Sequence, residues 1–244
     1  MPHKLLKLLL GSYQWLASYW PILMPRGIRL YTFEQIPLFM KENPYITDGY
    51  RARYHMFSCH LSEKTCHRWL ALDFVGISVG ILGCYIPGVF YAFYCITFWR
   101  QVYLVTALAL ILAVFLAQIH PHYHSKEWRH QRTAIFCSVA GYGIIPAGHW
   151  VWLNEGLGSA VVQLFLPRVI VMYLIAGAAF LFYISKIPER CFPGQLNYLG
   201  ASHQVWHVLV VFLLYWWHQT AVYIMKFRHS QPCPPLYTQP GLID

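Results

Sequence analysis

The sequence contains five long blocks of apolar residues that carry almost no charge. A stretch of about 18 or more such residues predicts a membrane-spanning helix, because hydrocarbon offers no hydrogen bonds and each backbone amide must be satisfied within its own segment. Soluble proteins seldom contain several blocks of this kind, so we predict an all-α, polytopic bundle of transmembrane helices. The five predicted spans cover residues 69–98, 102–119, 133–153, 167–184 and 204–225.

The composition supports a membrane protein and argues against a nucleic-acid-binding one. Charged residues make up only 11% of the chain and hydrophobic residues 57%, whereas an ordinary soluble domain has roughly 25% charged residues. The formal net charge of +9 does not indicate nucleic-acid binding, because the basic residues lie between the apolar blocks and form no compact stripe. HExxH, GxxxxGK[ST] and GxGxxG patterns are absent from the sequence, so zincin and nucleotide-binding functions have no support.

The uneven distribution of Lys and Arg predicts the orientation of the chain in the membrane. Flanking segments rich in these residues stay on the cytoplasmic side. If residues 1–68, which we call the head, are cytosolic, most of the 18 basic residues lie inside. Only Arg100, Arg168, Lys226 and Arg228 then lie on the other side. We therefore predict a cytosolic, membrane-proximal head at 1–68 and a tail at 226–244 in a lumen or outside the cell.

The cysteines predict neither a disulfide framework nor a thiolate metal site. They are odd in number, scattered, and form no CxxC pair. We interpret most of them as small apolar residues that fill space between helices. The seven are Cys59, Cys66, Cys84, Cys95, Cys137, Cys191 and Cys233.

One aspartate and three histidines are the candidate chemical residues. His203 and His207 are four residues apart at the start of the last span, which places both imidazoles on one face of a helix where they could bind one zinc ion. Asp73 lies near the start of the first span, and five spans bring these three residues to the cytoplasmic end, with His55 just upstream. Such a set suits a catalytic zinc site. The spacing leaves two alternatives open. The histidines could be ordinary interfacial residues, and the Asp73 carboxylate could extend to the cytoplasmic boundary of the membrane without a chemical role.

Several motifs of the chain resemble those of the progestin and adipoQ receptor family. The resemblance implies seven membrane spans, a cytosolic N-terminus and a zinc ion held by His55, His203 and His207, with Asp73 acting through bound water. It also implies ceramidase-like hydrolysis of a lipid amide. The motifs are residues 54–60 (Tyr-His-Met-Phe-Ser-Cys-His), 62–64 and 72–74, followed by 187–190 (Ile-Pro-Glu-Arg), 192–194 and 202–208 (Ser-His-Gln-Val-Trp-His-Val).

The head resembles that of one member of this family in particular, a protein that retains Raf kinase at the Golgi. The matching residues are 19–21, 25–31 (Pro-Arg-Gly-Ile-Arg-Leu-Tyr) and 43–50 (Asn-Pro-Tyr-Ile-Thr-Asp-Gly-Tyr). This resemblance implies a Golgi membrane location, Raf kinase as a partner of the head, and restraint of MAP kinase signalling.

The chain departs from the family pattern between Arg51 and Tyr54, which are joined here by two residues. Family members carry two further spans at this place, so His55 lacks the helix that would position it. Three alternatives would account for this departure: a splice form, a truncated relative or a faulty gene model. The leading functional hypothesis is a Golgi tether for Raf kinase; the alternatives are a zinc-dependent lipid amidase or receptor and a truncated, non-functional form.

Overall fold

The computed structural model describes residues 30–36, 41, 43–51, 53–54, 59–60, 63–119, 123, 127–197, 199–231 and 233. Two short antiparallel strand pairs come first along the chain: β1 (Leu30–Tyr31) with β2 (Tyr50–Arg51), and β3 (Arg53–Tyr54) with β4 (Cys59–His60). The helices of the described residues are α1 (Glu63–Ala92), α2 (Thr97–Ile119), α3 (Arg129–Tyr142), α4 (Ile144–Leu153), α5 (Ala160–Ser185) and α6 (Ser202–Ser230), with a 3-10 helix at Gly156–Gly158.

Within the described part of the chain, five helical stretches are long and apolar enough to cross a membrane. They are Arg68–Ala92, Thr97–Gln118, Arg129–Leu153, Ala160–Ser185 and Ser202–Ser230. Each has at least 22 residues, more than the roughly 20 needed to cross a hydrocarbon core of about 30 Å. The predicted five-span helical architecture is confirmed.

Helix α2 shows how these helices divide their surface between protein and lipid. Ala107 and Ile111 are 1% exposed, whereas Val105 and Leu112 on the other side of the same helix are 66% and 56% exposed. All four side chains are apolar, so burial and not polarity distinguishes the two faces. Exposure of this apolar face to water would be unfavourable, whereas contact with lipid tails, which are equally apolar, is not.

The first helix ends before the apolar block that predicted the first span. Helix α1 ends at Ala92, and residues 93–96 form a turn before α2 begins at Thr97. The guanidinium of Arg100 donates a hydrogen bond of 2.9 Å to the carbonyl oxygen of Tyr94 in this turn. The apolar block 69–98 therefore contains the end of one helix and the start of the next.

The fourth span begins earlier than predicted. Helix α5 starts at Ala160 and includes Pro167, whereas the predicted span began at Pro167; proline is generally disfavoured inside a helix. Val162 and Phe165 in the additional turns are buried in a cluster with Val89 and Phe93 of the α1 region. Burial of these side chains stabilises the first turns of α5 against the local preference of proline.

The third span consists of two helices that meet at Gly143. The hydroxyls of Tyr85 and Tyr173 lie beside this glycine, and they donate hydrogen bonds to the carbonyl oxygens of Val139 (2.6 Å) and Ala140 (3.2 Å) respectively. A Cβ atom at Gly143 would lie 2.5 Å from the Tyr173 hydroxyl oxygen. Glycine is therefore needed here for close approach of two tyrosines.

The chain divides into two compact units. One contains the described residues up to Trp69 together with Ile175–Val211, and the other contains Leu70–Leu174 together with the described residues from Phe212 onward. In the second unit, the buried cluster includes Phe93, Tyr103 and Trp150. In the first unit, a small cluster forms around Ile36 and Tyr50, and the Tyr50 hydroxyl donates a 2.9 Å hydrogen bond to the carbonyl oxygen of Ile46.

The prediction that the cysteines form no disulfide is wrong for Cys95 and Cys233. These two residues are bonded in the second unit, with their Cα atoms 5.4 Å apart. They are separated by 138 positions in the sequence, and an odd set of seven scattered cysteines gives no indication of which two meet. Cys84, Cys137 and Cys191 are free.

Candidate metal centre and head clamp

His203 and His207 lie in the first two turns of α6 with their imidazole rings converging. The two Nε2 atoms are 3.2 Å apart, and the rings are nearly perpendicular with centroids 4.7 Å apart. Both side chains are half-buried. The i,i+4 spacing predicted one shared helix face, and the structure brings the two imidazoles together on it.

The Nε2 positions fit two ligands of one zinc ion. Nitrogen ligands at about 2.0–2.1 Å from a tetrahedral zinc stand about 3.3–3.4 Å apart, close to the observed separation of 3.2 Å. The same separation also suits a hydrogen bond between a protonated and an unprotonated Nε2. The separation of the two Nε2 atoms is therefore compatible with two ligands of one metal ion and with a direct hydrogen bond between the imidazoles.

Glu189 fixes the start of the helix that carries these histidines. Its carboxyl oxygen Oε2 accepts a 2.7 Å hydrogen bond from the backbone N–H of Ser202, and Oε1 accepts one from the Ser202 hydroxyl. The side chain of Glu189 is fully buried. A negative group at this place satisfies an otherwise unpaired N–H of the helix terminus and interacts favourably with the helix dipole. Glu189 thereby sets the direction of the first turn of α6.

Tyr183, near the end of α5, packs beside the histidine pair within the first unit. Its ring contacts the ring of His203 at 6.5 Å between centroids and the ring of Trp206 at 5.4 Å. These contacts limit rotation of the His203 side chain, so the imidazole is oriented by packing as well as by the helix.

Asp73 and His55 are the other two residues predicted for the metal site. Asp73 lies half-buried on α1, in the second unit. His55 lies outside the described residues. The roles predicted for Asp73 and His55 remain predictions.

A segment of the head is bonded to the connection between α5 and α6. The Asn197 side chain accepts a 3.0 Å hydrogen bond from the backbone N–H of Thr47 and donates one of 3.0 Å to the Thr47 hydroxyl. The N–H of Gly194 donates a 3.0 Å hydrogen bond to the carbonyl oxygen of Tyr45. The Asn43 amide donates one of 2.9 Å to Glu189 Oε1. We call this set of contacts the head clamp; it joins Asn43, Tyr45 and Thr47 to Glu189, Gly194 and Asn197.

Glu189 thus belongs both to the head clamp and to the start of the helix that carries the histidine pair. This role of Glu189, Asn197 and Ser202 was not predicted from the sequence. A serine immediately before an apolar helical run is a signal for a helix N-terminus, and it could have identified Ser202. The partners of Asn197 and Glu189 in the head lie about 150 positions away, beyond the reach of any local pattern.

A match to a serine-hydrolase motif in α1 lies in the wrong structural setting for catalysis. Residues 76–80 read Gly-Ile-Ser-Val-Gly, which matches the GxSxG pattern of serine hydrolases. Ser78, however, lies within α1, is fully buried, and donates a 3.0 Å hydrogen bond to the carbonyl oxygen of Phe74. A nucleophilic serine of this type requires a strand-to-helix turn, so the match carries no catalytic role.

Comparison with known proteins identifies the family. A family model described as haemolysin-III related matches residues 50–217. Human progestin and adipoQ receptor family member 3 is 53% identical over 309 aligned positions, which cover 96% of this chain and 98% of the relative. The chain belongs to the progestin and adipoQ receptor family. The mouse protein of the same name gives the same identity and coverage, and a rice heptahelical transmembrane protein, ADIPOR2, is 37% identical over 64% of this chain and 67% of its own length.

The alignment with the human relative also shows an internal difference in length. Because it has 309 positions and this chain has 244 residues, at least 65 positions of the relative have no counterpart here. Two membrane spans of about 20 residues each, with their connections, fit into that length. The size of the difference matches the departure expected between Arg51 and Tyr54.

Proposed function

We propose that this chain is a multi-pass Golgi membrane protein whose head binds Raf kinase at the cytosolic face and so restrains MAP kinase signalling. The observation that supports this proposal best is the head clamp. It fixes Asn43 and Thr47 to the α5–α6 connection through Glu189 and Asn197, so part of the head has a defined shape next to the membrane. A surface of defined shape binds a partner with less loss of conformational entropy than a flexible segment does.

The head clamp also determines how the proposal is tested. An unrelated anchor that carries residues 1–68 alone would leave Asn43 and Thr47 without their partners on the α5–α6 connection. We therefore use the full chain and replace residues 1–29 by an unrelated polar sequence of the same length, which leaves the head clamp, strand β1 and the cluster of Ile36 and Tyr50 in place. The matched control replaces residues 234–244, in the tail, in the same way.

The measurements are the amount of Raf kinase recovered with Golgi membranes and the phosphorylation of MAP kinase after growth-factor stimulation. We expect the full chain and the tail variant to raise the first and lower the second. The head variant should reach the Golgi and change neither. A full chain that reaches the Golgi and leaves Raf in the cytosol would contradict the proposal. Recruitment of Raf by the head variant would place the binding surface in the part of the head that this variant retains.

The histidine pair supports a second candidate function, a zinc-dependent lipid amidase. His203 and His207 would hold zinc through Nε2, and His55 would be a third ligand. The carboxylate of Asp73 would act through a bound water molecule. The metal would supply Lewis-acid activation for amide hydrolysis. The contribution of the chain is orientation: Glu189 fixes the first turn of α6, and Tyr183 packs against His203.

Metal analysis of the purified full chain tests this second candidate. We expect about one zinc per chain, and less than a tenth of that in the His203→Ala/His207→Ala double variant. His218→Ala is the control, because His218 is an exposed residue farther along α6. A chain that contains no zinc after purification in zinc-containing buffer, or a double variant that retains it, would count against the amidase. Raf recruitment by the double variant should be unchanged, which separates the two functions.

A further inference from the structure

The end of α6 is joined to the end of α1 by an arginine. In the last turn of α6, the guanidinium of Arg228 donates hydrogen bonds to the carbonyl oxygens of Tyr91 (3.1 Å) and Ala92 (3.4 Å). These are two of the last carbonyls of α1, which have no N–H partner within their own helix. The cation also complements the negative end of the α1 dipole. Arg228 therefore holds the residues after the end of α6 next to the turn that follows α1.

Cys95 and Cys233 meet at this place. Cys95 lies in the turn at 93–96, directly after α1, and Cys233 lies three residues beyond the end of α6. Their Cα atoms are 5.4 Å apart, within the range in which a disulfide bonds without backbone movement. Two independent links, the Arg228 hydrogen bonds and the cysteine pair, thus connect the same two segments.

The span count places Cys95 and Cys233 on the same side of the membrane, and this result does not depend on the charge distribution. The connection after the first span and the tail after the fifth span lie on the same side of any membrane, because four spans separate them. The connection between α5 and α6, which contains the exposed and free Cys191, follows the fourth span and lies on the opposite side, together with the described residues that directly precede α1. Disulfides persist in oxidising compartments and thiols stay reduced in the cytosol.

We propose that the disulfide between Cys95 and Cys233 is a structural bond that lies in the lumen of the secretory pathway and fastens the tail to the first connection. The head and the α5–α6 connection then face the cytosol. The two thiols lose two protons and two electrons as the S–S bond forms, and the disulfide of a lumenal oxidoreductase takes them up and becomes a dithiol. This assignment agrees with the orientation predicted from Lys and Arg; it rests on the proposed location in the secretory pathway, but not on kinase binding or zinc binding.

Sequential thiol labelling of the full chain in sealed Golgi vesicles tests the proposal. A membrane-impermeant maleimide is applied to intact vesicles, a second maleimide of different mass after detergent, and a third after reduction, and each cysteine is then assigned by peptide mass spectrometry. We expect Cys191 to carry the first label. Cys95 and Cys233 should carry the third, with at least tenfold less of either earlier label.

Two variants complete the design. In Cys95→Ser, Cys233 should move from the third label to the second, because its thiol is free but remains in the lumen. In the control Cys191→Ser, the labels of Cys95 and Cys233 should not change. If either Cys95 or Cys233 carries the first label, the side is wrong; if either carries the second label in the unmodified chain, the disulfide is absent. Either result would overturn the proposal.

Discussion

Glu189 accepts hydrogen bonds from both the backbone N–H and the hydroxyl of Ser202, thirteen residues later in the chain. Oε1 of the same carboxyl also accepts from the Asn43 amide. One buried side chain therefore connects the head to the helix that presents His203 and His207. Any change at Glu189 should affect both candidate functions, because the two rely on the same support.

We expect Glu189→Gln to destabilise the protein by about 1–3 kcal/mol, the range for a buried donor left without an acceptor. Glutamine has nearly the same shape, but one carboxyl oxygen becomes an NH₂ group that faces the N–H of Ser202 or the amide of Asn43. Thermal unfolding of the purified chain in detergent measures the change. Glu127→Gln is the control, since Glu127 is exposed in the turn before α3; equal unfolding temperatures for the two variants would show that Glu189 is not a support.

We expect Asn197→Ala to loosen the head without unfolding the spans. The substitution removes the acceptor of the Thr47 N–H and the donor to the Thr47 hydroxyl. Loss of about 1 kcal/mol of local stability should raise hydrogen exchange at the Thr47 amide roughly fivefold. Exchange in a peptide covering 43–50 is the measurement. Gln195→Ala, at an exposed neighbouring position, should leave exchange unchanged, and so should Asn197→Ala for amides in α2.

The membrane spans could be predicted from sequence because the requirement that creates them is local. Lipid forces each segment to satisfy its own backbone, so length and apolarity are sufficient. The histidine pair could be predicted for a similar reason, since residues four apart share a helix face wherever the helix lies. Both features depend on neighbouring positions alone.

Helix ends and polar contacts could not be predicted because their causes lie far away in the chain. No charge marks the end of α1 at Ala92; Arg228, 136 positions later, contacts its last carbonyl. The partners of Thr47 and of Cys95 are separated from them by 150 and 138 positions. Only the folded chain brings these residues together, and a single sequence contains no signal for such pairs.

We expect Gly143→Ala to destabilise the second unit by about 1–3 kcal/mol, the usual range for overpacking. The added methyl would lie 2.5 Å from the Tyr173 hydroxyl oxygen and 3.2 Å from the Tyr85 ring. The Tyr173 hydroxyl would have to move away from the carbonyl oxygen of Ala140, and Tyr85 would have to shift by a few tenths of an ångström. Unfolding in detergent should therefore begin at a lower temperature than in the unmodified chain.

Gly141→Ala provides the matched control for this prediction, because a Cβ there meets no atom within 4 Å. Alanine is the better helix former by up to about 1 kcal/mol, so this variant should be neutral or slightly stabilising. If both glycine variants shift unfolding alike, the effect comes from helix propensity and not from the two tyrosines.

The last prediction concerns a buried polar pair between α1 and α2. The Gln118 amide donates a 3.1 Å hydrogen bond to the Ser78 hydroxyl, which in turn donates to the carbonyl oxygen of Phe74. Ser78→Ala removes the acceptor of a buried amide and should cost about 1–2 kcal/mol, whereas the double variant Ser78→Ala/Gln118→Leu removes both partners and should recover part of that loss. With Gln118→Leu alone completing the double-mutant cycle, the coupling energy should be about 0.6 kcal/mol and at most about 1.7 kcal/mol, the mean and the maximum for hydrogen bonds between membrane helices. A cycle that closes with no coupling would mean that the two side chains do not stabilise each other, and that apolar packing alone joins α1 to α2.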